Sequence, residues 1–337
     1  LISGINKLQH SDSLKHDYTE LTPETILDAV ESLGYATSGR QLALNSYENR
    51  VYRCGLEQGG DIIVKFYRPD RWSDAAIMEE HRFSFELVEH EIPVVAPIVI
   101  ADTSLFEYDG FRFSLFPLRG GRWPDLETRE DLNWMGRFIA RIHNVGRKKS
   151  FQHRHRIEIE RMGKTSADFL QAQGFIPDYL QDAYQTLVAD LLKEIQTTFD
   201  RCGNYQSLRL HGDCHRSNVL WTDDGPHFVD LDDCCNGPAI QDLWMLLSGE
   251  REEMTRQMCD LLEGYEEFAS LDLKELHLIE ALRSLRMMHY AAWLARRWDD
   301  PAFPLAFPWF NSNQYWEQHV LELREQFSRL REPALVV

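Results

Sequence analysis

His211-Gly212-Asp213-Cys214-His215-Arg216-Ser217-Asn218 is the stretch on which the reading of this chain turns. It lies between two short apolar runs, Leu208-Arg209-Leu210 and Val219-Leu220-Trp221, that read as strands. A loop pinned by a strand at each end keeps its side chains in place. An aspartate there can accept or orient the proton of a hydroxyl nucleophile, and an asparagine five residues on can offer its amide oxygen to a hard cation. Just downstream, a turn at Asp223-Asp224-Gly225-Pro226 folds Phe228-Val229-Asp230-Leu231-Asp232-Asp233 back on Val219–Trp221, which brings Asp230 beside Asn218. One base and two oxygen ligands suit a magnesium–triphosphate site, with phosphate oxygens and water completing the octahedron.

Upstream, Ile62-Ile63-Val64-Lys65-Phe66 reads as a strand paired with Val51-Tyr52-Arg53-Cys54 through a turn at Gly59-Gly60, after a shorter strand ending near Leu44. A lysine in so apolar a strand is half buried and needs a counter-ion. The next helix, capped by Ser73 and running to about His90, puts Ile77, Glu80, Ser84 and Leu87 on one face. Glu80 is therefore the expected partner of Lys65, with Glu79 as the alternative if the helix phase is off by one. Thr22-Pro23 opens an earlier helix, and Val94–Ala101 and Phe111–Phe116 read as two more strands. Pro117-Leu118-Arg119-Gly120-Gly121 is the expected hinge. Beyond it, Asp131–Val145, Tyr179–Ile195, Met254–Phe268 and Leu278–Trp298 carry helical periodicity.

The 337 residues carry 36 Lys+Arg against 54 Asp+Glu, a net charge of −18. Such a surface repels nucleic-acid phosphates and anionic lipid, so no nucleic-acid partner and no membrane is expected. The apolar stretch Ile92–Ala101 is too short to span a bilayer. The six cysteines show no CxxC and no zinc spacing, and read as reduced thiols of a cytoplasmic protein.

These strings resemble the aminoglycoside phosphotransferase/choline kinase family of the protein-kinase-like fold, over nearly the whole chain from about residue 20. HGDCHRSN resembles that family's HGDxHxxN motif, and VDLDD its metal-binding motif. Met135–His143 is similar to the helix behind the catalytic loop, and the stretch Gly237–Leu243 implies that Asp242 braces that loop. More narrowly, LNSYENRVYR, RLHGDCH, FVDLDD, NGPAIQDLWMLL and RRWDDPAFP resemble a bacterial group of stress-response Ser/Thr kinases. The resemblance implies ATP and Mg2+ as cofactors, Asp213 as catalytic base, Asn218 and Asp230 as metal ligands, and Ser46, Lys65 and Glu80 on the nucleotide side. The turn over the nucleotide, Asn45-Ser46-Tyr47-Glu48-Asn49-Arg50, departs from classical protein kinases in having no glycine.

The expected architecture is α+β and two-lobed: a polar tail over residues 1–16, a β-rich N-lobe with its helix over 17–118, and a mostly helical C-lobe over 119–337, with ATP and magnesium between the lobes. The expected activity moves a γ-phosphoryl group to Ser or Thr of a protein substrate, the chain itself among the candidates, by a cytoplasmic monomer. The rivals are a small-molecule hydroxyl kinase and a nucleotide-binding regulator without catalysis. His211 reads as a buried hydrogen-bonder, His215 likewise, and Cys214 as packing. Asp232 and Asp233 are open between a supporting role beside the metal and a solvated turn. The aromatic residues from Trp293 to Trp316 read as core, with Arg296 and Arg297 at the edge of the substrate cleft as the minority reading. The acidic net charge predicts cationic acceptors, such as Ser/Thr flanked by basic residues.

Overall fold

The computed structural model describes residues 18–223 and 225–337, so the tail expected over 1–16 and Asp224 of the expected turn lie outside the described residues. The chain divides into two compact units. One comprises the residues up to Asp74 with Pro97–Leu118, the other Ala75–Ala96 with Arg119–Val337.

The first unit is an antiparallel sheet in the order β1 (Thr37–Ala43), β2 (Arg50–Leu56), β3 (Asp61–Phe66), β5 (Phe111–Pro117), β4 (Phe106–Tyr108). Strand alternation decides which side chains meet the core. Ile62, Val64 and Phe66 of β3 are buried with Ile26, Ala29 and Val30 of helix α1 (Pro23–Glu31), each large side chain contributing about 1.5–3 kcal/mol. Lys65, out of phase with them, turns to the other face and is still buried there. Helix α1 starts as expected: Thr22 Oγ1 accepts the Thr25 N–H at 3.2 Å and Pro23 opens the first turn, where a missing N–H costs nothing.

Two expectations fail here. The first strand is not shorter than its neighbour, since β1 and β2 each have seven residues. Val94–Ala101 is not a strand. Pro97 has no N–H to donate, and the segment makes only isolated pairings, among them Ile98 N–H to Leu115 O at 2.7 Å.

In the second unit, helix α2 (Asp74–Glu89, all but its first residue in this unit) buries Ile77, Glu80, Ser84 and Leu87 as its periodicity predicts. It belongs with this unit rather than with the sheet. Phe83 packs edge-on against Phe151 at 5.4 Å, and Glu86 Oε2 lies 2.7 Å from Arg209 Nη2. Helices α3 (Arg129–Gly146) and α7 (Arg251–Tyr265) meet backbone to backbone, because Gly136 and Gly264 have no Cβ. A methyl group at either would come 2.0 Å from a carbonyl oxygen of the facing helix. Helices α4 (Thr165–Ala172), α5 (Gln181–Cys202), α8 (Ile279–Arg296) and α10 (Asn313–Arg329) enclose a second core that takes in Phe303, Phe310 and Trp316, so the aromatic stretch is core as read except for Trp309, which is exposed. Short helices α6 (Ile240–Trp244) and α9 (Ala302–Ala306) complete the described helices. Two short ladders, β6 (Leu208–Leu210) with β9 (Cys235–Gly237) and β7 (Val219–Thr222) with β8 (Gly225–Phe228), flank the loop that carries Asp213.

Candidate active site

The loop after β6 is held by a carboxylate beneath it. Asp242 of α6 accepts the His211 N–H at 2.9 Å on Oδ2 and the Gly212 N–H at 2.8 Å on Oδ1. His143 Nε2 of α3 sits 3.1 Å from Oδ2, and its Nδ1 lies 2.9 Å from the Tyr265 hydroxyl. Gly212 has φ +84, and a Cβ there would come 2.3 Å from the Asp233 carbonyl oxygen. Only glycine allows the turn that follows His211. His211 is buried and its Nε2 donates to the Val229 carbonyl at 3.0 Å, which joins the loop to the strand leading to Asp230.

Asp213 then projects between Arg286 and His215. Arg286 Nη1 of α8 lies 2.6 Å from Oδ1 and His215 Nε2 lies 3.2 Å from Oδ2. His215 Nδ1 accepts the Ser217 N–H at 3.2 Å, so in the neutral ring the proton is on Nε2, facing Asp213. Burial alone would raise the Asp213 pKa. The Arg286 guanidinium and the His215 N–H overcome it and hold the carboxyl well below its ordinary range. Cys214 is the opposite case: burial, with Asp242 and Asp213 nearby, pushes its thiol far up, so it is no nucleophile at neutral pH. All six cysteines carry free thiols.

Asn218 donates from Nδ2 to the Asp213 carbonyl at 3.0 Å and approaches Asp213 Oδ2 at 3.4 Å. Its nitrogen is thereby committed, which leaves the amide oxygen as the ligating atom. The β7–β8 hairpin does what the sequence predicts: the Val229 N–H donates to the Asn218 carbonyl at 3.0 Å, setting Asp230 next to Asn218. Asp230 is exposed and left-handed, at φ 58 and ψ 63, a conformation few residues other than Gly, Asn and Asp adopt and one concentrated at functional sites. An amide oxygen and an exposed carboxylate on adjacent strand ends fit a small hard cation held mainly by phosphates and water.

The turn between β1 and β2 is stiffened by side chains instead of being shaped by glycine. Arg68 reaches the Glu48 carbonyl at 2.9 Å and the Tyr47 carbonyl at 3.1 Å, and Asn49 Oδ1 accepts the Arg68 N–H at 3.1 Å. Ser46 sits, partly exposed, on that turn. Lys65 and Glu80 are both buried, each in its own unit. The helix phase is as first read. Glu79 is engaged elsewhere, accepting the N–H groups of Gln152, His153 and Arg154 at 2.7, 2.8 and 3.1 Å. Within its own unit Glu80 faces Arg154 Nη1 at 3.5 Å.

The model of the phosphotransferase enzyme family matches residues 40–279, a span that contains all of these side chains except Arg286. The chain belongs to that family. This phosphotransferase is 42% identical over 318 residues to stress response kinase A of Escherichia coli strain K12, covering 94% of this chain and 96% of that one. It is equally similar, 42% over 318 residues, to the serine/threonine protein kinase RdoA of Salmonella typhimurium strain LT2. Its fold matches that of amicoumacin kinase hAmiN in complex with AMP-PNP, Ca2+ and Ami, with a TM-score of 0.71 and 19% identity over 91% of this chain and 96% of that one. Among its described residues no helix is long and apolar enough to cross a membrane.

Two residues beside the candidate site, Arg286 and Arg154, were missed by the sequence reading. They come from distant parts of the chain, on elements whose patterns show only helix or loop. His215 is the hydrogen-bonder it was read as, through Asp213 and the Ser217 N–H, but it is only partly buried.

Proposed function

We propose that this phosphotransferase is an ATP- and magnesium-dependent Ser/Thr protein kinase of the bacterial cytoplasm, acting as a monomer in a stress response. The observation that carries the reading is the grouping of Asp213, Asn218 and Asp230 on one loop and hairpin, tied down by Asp242. The name of one relative, a serine/threonine protein kinase, supports the protein acceptor. Bound magnesium-ATP supplies the γ-phosphoryl group and neutralises its charge in flight. Asp213 orients the acceptor hydroxyl and takes its proton late. In a loose transition state the nucleophile needs little activation, so a carboxylate with a depressed pKa suffices. Asn218 offers Oδ1 and Asp230 its carboxylate to the metal. Ser46 and Lys65 take the nucleotide phosphates, and Glu80 supports that side of the site. A small-molecule hydroxyl kinase is the second reading, favoured by the fold shared with amicoumacin kinase.

The test is transfer of labelled phosphate from ATP to a panel of Ser/Thr peptides and small alcohols. Asp213→Asn is expected to lower kcat at least ~100-fold with MgATP binding retained, and Asp230→Ala to weaken MgATP binding itself. Near-normal turnover of Asp213→Asn, or unchanged MgATP affinity of Asp230→Ala, would remove those roles. Transfer to a small alcohol and to no peptide would select the second reading.

A further inference from the structure

Asp213 must meet the acceptor hydroxyl, yet its Oδ1 is occupied by Arg286 Nη1 at 2.6 Å. The Arg286 side chain is 39% exposed, so this cation stands where the acceptor arrives. Farther along α8 the positive charge continues. His289, nearly one turn on, packs its Nδ1 3.3 Å from Ser166 Oγ of α4. Burial, and then the guanidinium groups of Arg161, Arg296, Arg297 and Arg286, push its pKa down to about 3, so it stays neutral. The arginines whose charge acts on this ring come from three places: the segment before α4, α8 itself and the residue that ends α8. Arg296 is exposed, with its guanidinium 4.8 Å above the Phe169 ring, and Arg297 donates to the Trp293 carbonyl at 3.1 Å. Glu160 adjoins Arg161 and Asp299 follows Arg297 by two residues, while other carboxylates on these elements have partners. Glu280 faces Arg283 on the opposite side of Arg286 along α8, Asp168 pairs with Lys164, and Asp300 caps the Ala302 N–H. Asp233 and Arg161 both act on the Cys235 thiol, so one aspartate does reach this neighbourhood. In a chain of net charge −18, a file of arginines that begins at the catalytic carboxylate runs against the background.

We propose that the acceptor carries a carboxylate or phosphate beside its reactive hydroxyl, and that Arg286 passes from Asp213 Oδ1 to that anion as the acceptor enters. The exchange needs no outside charge. One ion pair is replaced by another, and Oδ1 is freed for the hydroxyl. An ammonium-bearing acceptor would meet Arg286 with like charge and leave Oδ1 blocked. This inference rests on the protein-kinase reading for the source of the anion, which is then an acidic or phosphorylated residue flanking the Ser or Thr. A hydroxy acid carries the same chemistry on a small molecule.

The experiment compares kcat/KM for three Ser peptides that differ only in acidic, neutral or basic flanking residues, and for glycerate and choline, with wild type, Arg286→Gln and Arg286→Lys. The expected result for wild type is preference for the acidic over the neutral peptide by about tenfold, the size of one charge-assisted contact, expressed in KM. Arg286→Gln should erase that preference, and Arg286→Lys should restore part of it. Preference of wild type for the basic peptide overturns the inference while leaving the protein-kinase reading intact. Phosphorylation of glycerate with no peptide used leaves the anion recognition standing and overturns the protein-kinase reading. An equal fall in kcat for all peptides with Arg286→Gln would assign Arg286 to the transferred phosphoryl group or to Asp213 alone, and overturn the inference. The wild-type preference is read without any variant, so a misfolded variant does not rescue the proposal.

Discussion

Glu275 shows how a single buried carboxylate outside the catalytic loop can set the behaviour of the site. Its Oε2 accepts the Ile240 N–H at 3.0 Å, at the start of the helix whose Asp242 holds the loop. Burial raises its pKa. The Ile240 N–H opposes this, Asp272 adds to it, and the result is about 7 against an ordinary 4.5. The folded state thus binds this proton more tightly than the unfolded chain. The contribution to stability is full below about pH 4.5 and is lost as pH rises through 7. Glu275→Gln keeps an acceptor for Ile240 and removes the charge. It is expected to leave stability unchanged near pH 5 and to raise it at pH 8, by up to roughly 3 kcal/mol, in urea unfolding at the two pH values. A variant less stable than wild type at pH 8 would show that the carboxylate itself is needed there. The same sign logic separates Glu275 from Asp213, where cations win over burial and the carboxyl stays ionised.

At the scale of elements, the segment after β8 and helix α2 are joined through one side chain. Arg154 is buried. Its Nε donates to the Cys234 carbonyl at 2.7 Å, Nη1 to the Ala76 carbonyl at 3.2 Å and Nη2 to the Asp232 carbonyl, and it faces Glu80. Arg154→Met keeps the bulk but removes its three bonds to carbonyls and its approach to Glu80. It is expected to cost roughly 2–4 kcal/mol in urea unfolding and to weaken MgATP binding through the Asp230 segment. A wild-type unfolding midpoint would mean that the loop holds its shape without this brace. None of this was legible in the sequence. Pattern reading found α2, its inward Glu80 and the hairpin that sets Asp230 beside Asn218, because each follows from spacing within one element or one turn. The loop carrying Asp213 and Asn218 stood out because the chemistry proposed for it restricts residue types at fixed offsets. Arg154 and Arg286 were not, since an arginine on an irregular segment or on a helix looks solvated until tertiary packing brings it under a carbonyl or onto a carboxylate. Val94–Ala101 failed for a different reason: its apolar residues gave the strand pattern, and Pro97 withheld the ladder.

At the scale of the whole molecule, two fields of opposite sign act on an acceptor. The chain as a whole carries −18, and the residues beside Asp213 on α8 are cationic. Which field a peptide feels depends on distance, and distance is set by salt. At ~10 mM ionic strength charges act over about 30 Å, so an acidic peptide meets the net negative charge first. At ~150 mM the range shrinks to about 8 Å, and the arginines nearest the hydroxyl's landing point dominate. For the acidic peptide, kcat/KM is therefore expected to rise, by a few-fold, as salt goes from ~10 to ~150 mM, and to fall again toward 1 M as the Arg286 contact itself is screened. For the basic peptide it should fall throughout, because salt removes the long-range attraction and leaves the local repulsion. The change should appear in KM, since encounter and not phosphoryl transfer is being altered. A steady fall for the acidic peptide from the lowest salt upward would mean that the positive field at α8 extends past its own neighbourhood. The acceptor side would then be basic as a whole rather than a cationic patch in an acidic surface.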